Sequence, residues 1–267
     1  MLGLVMRRFW LLLAFCAALF GVQPPAHAQL APQLAPQTAM QHALRAFDAL
    51  RAGDWQLAQF YATHALDAGT LARGDQAGVL SYRGDARRRL NDFQGAIDDY
   101  SQAIALGLPA QFLARVYNNR ALAHIRTDRA DLAFQDYTRA IELDPTFAEA
   151  LNNRGAIYTM NGRYDLALAD HTAAIRLNPN NARAFSNRGQ AYLRLKFYEE
   201  AIDDFTRAMD MATAVDDGVT ALFNRGLAYE GLGEEPEAKA DFELAHQFAP
   251  DEPTYMEKYV QYGIVRP

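Results

Sequence analysis

The sequence predicts an all-α chain: a solenoid of six helix-turn-helix units closed by a C-terminal capping helix. Three observations predict it. Residues 148–181 read as two helices, broken at Asn161-Gly162 and stopped at Pro179. Most of this pattern returns 34 residues later, where Asn187-Arg188-Gly189 is followed by Tyr192, Ala201, Phe205 and Ala208. Small residues (Gly155, Ala167, Ala174) stand among large apolar ones (Leu151, Ile157, Tyr158, Leu168, Ile175), the composition of helices that approach closely. A fixed period of this length decides the architecture, because one helix pair cannot bury its own apolar face and must stack on a neighbour.

Residues 1–28 are not part of the fold. Arg7-Arg8 precede an apolar run over 9–22, and Ala26-His27-Ala28 forms a small-x-small cleavage site. This is the layout of a secretory signal peptide, with the cut expected before Gln29. The run falls short of the roughly 20 apolar residues that span a bilayer, so no stable membrane span is expected after cleavage. Cys16 is no lipoprotein signal, since Phe15 before it is too bulky for a lipobox. Cleavage removes Cys16, the one cysteine, and with it disulfides, thiol catalysis and thiolate metal sites. Loss of Arg7 and Arg8 takes the formal charge from −6 to −8, a poor balance for sequence-independent nucleic-acid binding. Residues 29–38 repeat Leu-Ala-Pro-Gln and read as an extended, disordered leader.

The array then runs over 39–252 in six units: 39–72, 77–110, 114–147, 148–181, 182–215 and 219–252, with short insertions at 73–76, 111–113 and 216–218. Positions 20 and 27 are alanine in every unit, from Ala58 and Ala65 to Ala238 and Ala245. Position 8 is Gly or Ala, and position 24 is Tyr100, Tyr137, His171, Phe205 or Phe242 from the second unit on. The first unit is degenerate, with His42 at position 4 and Ala49 at position 11, as terminal repeats often are. In the remainder, 253–267, Tyr255, Tyr259 and Tyr262 share one helical face, which reads as a cap over the sixth unit followed by a short tail.

Gly155, Tyr158, Ala167, Ala174 and Pro179 stand at the spacing of the tetratricopeptide repeat (TPR) family, which the array resembles, in a form marked by Asn-Arg-Gly. His171 and Arg154 depart from the family's usual aromatic at 24 and leucine at 7. The resemblance implies a right-handed superhelix whose first helices line a concave groove. Position 6 shares a stripe with positions 2, 9 and 13. It is asparagine in four consecutive units: Asn119, Asn153, Asn187 and Asn224. An amide offers donors and an acceptor and can pair with both groups of a peptide bond. Such a row resembles the asparagine ladder of the O-linked N-acetylglucosamine transferases; the alternative is that each amide bonds only within its own layer or to water. Asn118 and Asn152 add amides at position 5. Arg115 and Arg126 bracket Asn119, Arg183 and Arg194 bracket Asn187, and Arg89 takes position 13 of the second unit. These arginines suit a carboxylate or acidic segment, or are simply solvated. The lysine and asparagine of a carboxylate clamp are absent at positions 5 and 9.

Position 7 is arginine in all six units, Arg45 to Arg225, and position 23 is aspartate in five: Asp99, Asp136, Asp170, Asp204 and Asp241. We read these as a ladder of inter-helix ion pairs, each adding about 0–1 kcal/mol if exposed. His124 and His171 occupy aromatic slots and read as core histidines. No His-Glu-x-x-His, G-x-S-x-G, P-loop or dinucleotide pattern occurs, and Gly231-Leu232-Gly233 is an inter-helix loop. The sequence therefore predicts a non-enzymatic adaptor without cofactor or metal. It would be exported to a bacterial periplasm or beyond and hold a peptide or partner protein in its groove. The alternative is a self-assembling envelope protein that dimerises or stacks end to end.

Overall fold

A computed structural model describes residues 38–265; the expected signal peptide, the leader to residue 37 and the last two residues lie outside the described residues. Thirteen helices follow one another. They are α1 Ala39–Ala52, α2 Trp55–Asp67, α3 Arg73–Arg89, α4 Phe93–Leu106, α5 Ala110–Ile125, α6 Ala130–Leu143 and α7 Ala148–Met160. Then come α8 Tyr164–Leu177, α9 Ala182–Leu195, α10 Tyr198–Met211, α11 Val215–Leu232, α12 Glu235–Phe248 and α13 Met256–Gln261. Among the described residues there is no strand.

Local chemistry sets the boundaries. The Thr38 hydroxyl accepts from Gln41 N–H at 3.2 Å while the Gln41 side chain accepts from Thr38 N–H at 3.0 Å, a capping box that starts α1. Asp54, Asp92 and Asn181 cap α2, α4 and α9 in the same sense. Helices α6 and α8 stop at Leu143 and Leu177, two residues before Pro145 and Pro179. The turn inside each pair carries one left-handed residue at position 15: Gly53, Asn91, Asp128, Gly162, Lys196 and Gly233. The inserted residues at 73–76, 111–113 and 216–218 are helical and lengthen α3, α5 and α11 to 17, 16 and 18 residues.

Packing follows the period. Each odd helix packs on the even helix after it, and each even helix on the next odd one. Odd helices also reach each other across units (α1 with α3, α3 with α5, α7 with α9, α9 with α11). No such approach joins even helices among the described residues, so the stack is tighter on the odd side, which makes that side the concave one. The alanines at positions 20 and 27 are almost completely buried in every unit. Tyr100, Tyr137, His171, Phe205 and Phe242 lie beneath the surface against position 8. Where position 8 is glycine the ring has moved in close. A Cβ at Gly84 would stand 2.7 Å from the Tyr100 ring, and one at Gly226 2.7 Å from Phe242.

The tyrosine face at the C-terminus does cap the sixth unit, in a helix of 6 residues that starts only at Met256. Tyr255 stacks on Phe223 with ring centroids 3.8 Å apart, Tyr259 is fully buried, and Tyr262 reaches Phe242 at 5.0 Å.

Candidate functional site

Each odd helix presents positions 2, 6, 9 and 13 to the concave side. The position-6 asparagines are half-buried there, and three of the four are tied to the unit before them. Asn153 donates its amide N–H to Asn118 Oδ1 at 3.3 Å, and Asn187 donates to Asn152 Oδ1 at 3.2 Å. Asn119 donates to Asp85 Oδ1 at 2.9 Å. Asn118 and Asn152 are buried at position 5 and hold the row from beneath, Asn152 also bordering the recess beside it. Asn118 also donates to Asn119 Oδ1 at 3.3 Å. Asn224 stands apart, because the unit before it carries Ser186 at position 5 and no bond joins the two among the described residues. One N–H of Asn153 and one of Asn187 is therefore engaged, while their carbonyl oxygens accept no hydrogen bond among the described residues. Each keeps a donor and an acceptor for the groove.

Asn153 and Asn187 open into a recess of about 290 Å³ lined also by Asn152, Arg183, Ser186 and Asp217. Arg183 is exposed and 3.6 Å from Asp217. Arg115 is 3.9 Å from Asp85. The position-13 arginines behave differently: Arg89 lies over the Trp55 ring at 5.3 Å and Arg126 over Phe93 at 4.9 Å. These rings, at position 17 of the preceding unit, fix the guanidinium stems without neutralising the charge. The sequence shows the period of Trp55 and Phe93, and that period was the available signal for this pairing. Arg194 stands exposed beside the row.

Beneath the row sits His171, fully buried, with Nδ1 2.8 Å from Asn152 Oδ1. An oxygen acceptor requires Nδ1–H, so the imidazole is the neutral Nδ1 tautomer. Burial, and then the nearby Arg188 charge, push its pKa down to about 4. Asn152 Oδ1 thus accepts from both His171 and Asn187. His124 is buried as well, beside Asp136, and its pKa is lowered chiefly by burial.

The arginines at position 7 belong to the seam between helices. Arg83, Arg120, Arg154, Arg188 and Arg225 each grip the position-23 aspartate of their own unit with two parallel bonds, Nε to Oδ2 and Nη2 to Oδ1, at 2.7–2.9 Å. The bond to Asp170 raises the Arg154 pKa above its usual value. A third bond ties Arg120 to Ser101, Arg188 to Thr172 and Arg225 to Thr206, on the even helix of the preceding unit. The aspartates are buried, so these are not the exposed pairs that the sequence suggested. Removing one partner would strand a buried charge, a far larger penalty than losing a surface pair. In the first unit Arg45 instead bonds the Tyr61 hydroxyl at 3.2 Å.

Among the described residues no group of His, Cys, Asp or Glu is placed to hold a metal, and no helix is long and apolar enough to cross a membrane. Three family models match the chain: Tetratricopeptide repeat over 148–181 and over 180–251, and TPR repeat over 129–162. The chain is a tetratricopeptide repeat protein. Such an array is a protein–protein interaction scaffold. The chain is similar to serine/threonine-protein phosphatase 5 of Rattus norvegicus (40% identity over 79 residues, 30% of this chain and 15% of the phosphatase). It is also similar to protein unc-45 homolog B of Homo sapiens (33% over 76 residues, 28% of this chain and 8% of the relative). It therefore spans a small fraction of these longer proteins. Among solved structures it resembles MamA protein, at 23% identity and TM-score 0.56, over 73% of this chain and 99% of that one. It also resembles YrrB, described as a TPR protein with an unusual peptide-binding site, at 21% and 0.55, over 68% and 91%. Pseudomonas aeruginosa pilF gives 16% and 0.68, over 84% and 97%. At these identities the likeness concerns the fold.

Proposed function

We propose that this TPR protein is a non-enzymatic adaptor that holds an extended peptide segment of a partner along its concave face. One observation carries the reading: Asn153 and Asn187 recur one unit apart and line one recess, each held by a buried asparagine and each with a carbonyl oxygen that accepts no hydrogen bond among the described residues. A fixed amide with a spare donor and acceptor matches the two groups of a peptide bond, independent of side chains. Arg183, Arg194 and the ring-supported Arg89 and Arg126 favour a segment that carries carboxylates or ends in one. The presence of a peptide-binding protein among its structural relatives supports the class of ligand.

The test is capture from an envelope extract by the mature chain beside an Asn119→Ala/Asn153→Ala/Asn187→Ala variant that keeps its helix content and a cooperative unfolding transition well above the assay temperature. Partners held by the first and lost by the second support the groove. Identical capture by both moves binding to the convex face or the ends.

The compartment rests on residues 1–28, and the adaptor is proposed to work outside the cytoplasm. Expressed with its own leader in a bacterium, it should appear in the periplasmic fraction beginning at Gln29; a product retained in the cytoplasm with its leader intact overturns export.

A further inference from the structure

The groove changes chemistry in the first two units. At positions 2, 6 and 9 the first unit presents Met40, Leu44 and Phe47, which are 43%, 58% and 39% exposed. The Phe47 ring meets Tyr82 at 5.5 Å. This joins position 9 of one unit to position 6 of the next, the junction that Asp85 and Asn119 make one unit later. The Phe47–Tyr82 junction stands one helical turn before Asp85–Asn119 on α3, and the row continues from there through Asn118–Asn153. The apolar residues form the floor of the same groove and are not the end surface of the solenoid. That end surface is polar: positions 3 and 10, buried as Val79 and Ala86 or as Val116 and Ala123 in later units, are the exposed Gln41 and Asp48 in the first.

Charge completes the picture. Position 13 is Arg51, Arg89, Arg126 and Arg194 in four of six units, on a chain of net charge −6. Arg51 lies 5.9 Å from the Phe47 ring, beside the apolar floor. A cationic partner is repelled along this rail and an acidic one is drawn to it. A helical partner satisfies its own backbone groups and gives the asparagine row nothing to bind, whereas an extended chain exposes them.

We infer that units one and two form an apolar subsite for leucine- or phenylalanine-sized side chains at one end of an extended acidic peptide. The carboxylates of that peptide face the position-13 arginines, and its backbone runs along the asparagine row. This rests on the groove reading above and adds to it a sequence preference. In an extended chain alternate residues face one side, so the apolar residues that enter the subsite are spaced by two.

The test is selection from a random peptide display library on the mature protein at low salt, in parallel on a Leu44→Ser/Phe47→Ser variant and on the triple asparagine variant. Both sets of substitutions lie on exposed or half-buried groove positions, and retained helix content with cooperative unfolding above the assay temperature confirms the fold. The wild type should enrich peptides with alternating bulky apolar residues near one end and Asp or Glu beyond them. The double variant should keep the acidic preference, lose the apolar one, and bind the wild-type consensus peptide roughly tenfold more weakly in fluorescence anisotropy. Enriched acidic peptides without an apolar end, or equal affinity for the double variant, overturn the subsite and leave the groove standing. Enrichment that survives in the triple variant, or none on the wild type, overturns the groove and the subsite together.

Discussion

At the residue scale His171 carries the clearest pH signature. Its folded pKa of about 4 lies below the ordinary 6.5, so the unfolded chain binds its proton first. The contribution is intact above pH 6.5 and is lost as pH falls toward 4, a slope worth about 3 kcal/mol over that window. Urea unfolding across pH should show it. His171→Phe, which installs the ring found at Phe205 and Phe242, should flatten the slope, leaving what the buried His42 and His124 contribute. The asparagine pair separates two roles in the same way. Asn153→Ala should cost about 0.5–1.5 kcal/mol, one net hydrogen bond, whereas Asn118→Ala at a buried site should cost about 1–3 kcal/mol. Equal losses measured by denaturant titration would place both amides in the scaffold. Arg154→Ala should cost about 3–5 kcal/mol by leaving Asp170 buried and unpaired. The sequence displayed the Arg and Asp registers but not this magnitude, because the period shows which residues recur and not how deeply the second helix covers them.

At the element scale the turn inside each helix pair sets the clearest limits on sequence. Position 15 is left-handed in all six units, with φ between 57° and 83°. Glycine, asparagine and aspartate tolerate that conformation, but Lys196 at φ 64° does so at a steric cost. Lys196→Gly should therefore raise stability by roughly 0.5–1 kcal/mol, read as a higher urea midpoint. A lower midpoint would show that Lys196 makes a compensating contact. The helix seam gives the opposite result. A Cβ at Gly155 would stand 2.7 Å from the His171 ring, so Gly155→Ala should destabilise by about 1–3 kcal/mol through overpacking. These elements were legible in advance, since glycine, proline and the alanine columns report directly on backbone conformation and close approach. The inserted residues were not: 216–218 look like a linker by register but form the first turn of α11, because a helix can be extended by one turn without disturbing the packed units around it.

At the scale of the whole molecule both ends of the array are closed. Gln41 and Asp48 make the first face polar, and α13 covers the last with Tyr259 fully buried. A polar outer face on the first unit and a helix packed over the last disfavour continued stacking by another copy. The mature chain should accordingly keep a constant mass by light scattering across a hundredfold range of concentration, and growth of mass with concentration would restore the self-assembly alternative. The period of 34, its small-residue columns and its left-handed turns are local in origin, so the sequence alone determined the repeat fold and the number of units, while the family resemblance implied a groove on the first helices. Only the tertiary structure decided which polar residues face that groove. Asn152 and Asn153 are adjacent in sequence and both border the recess, yet Asn152 is buried and bonded to His171 and Asn187 while Asn153 is half-buried with an unengaged carbonyl oxygen. That division is set by the preceding unit packed against them and by His171 on the helix behind, and such partners lie too far along the chain for a pattern within one helix to reveal.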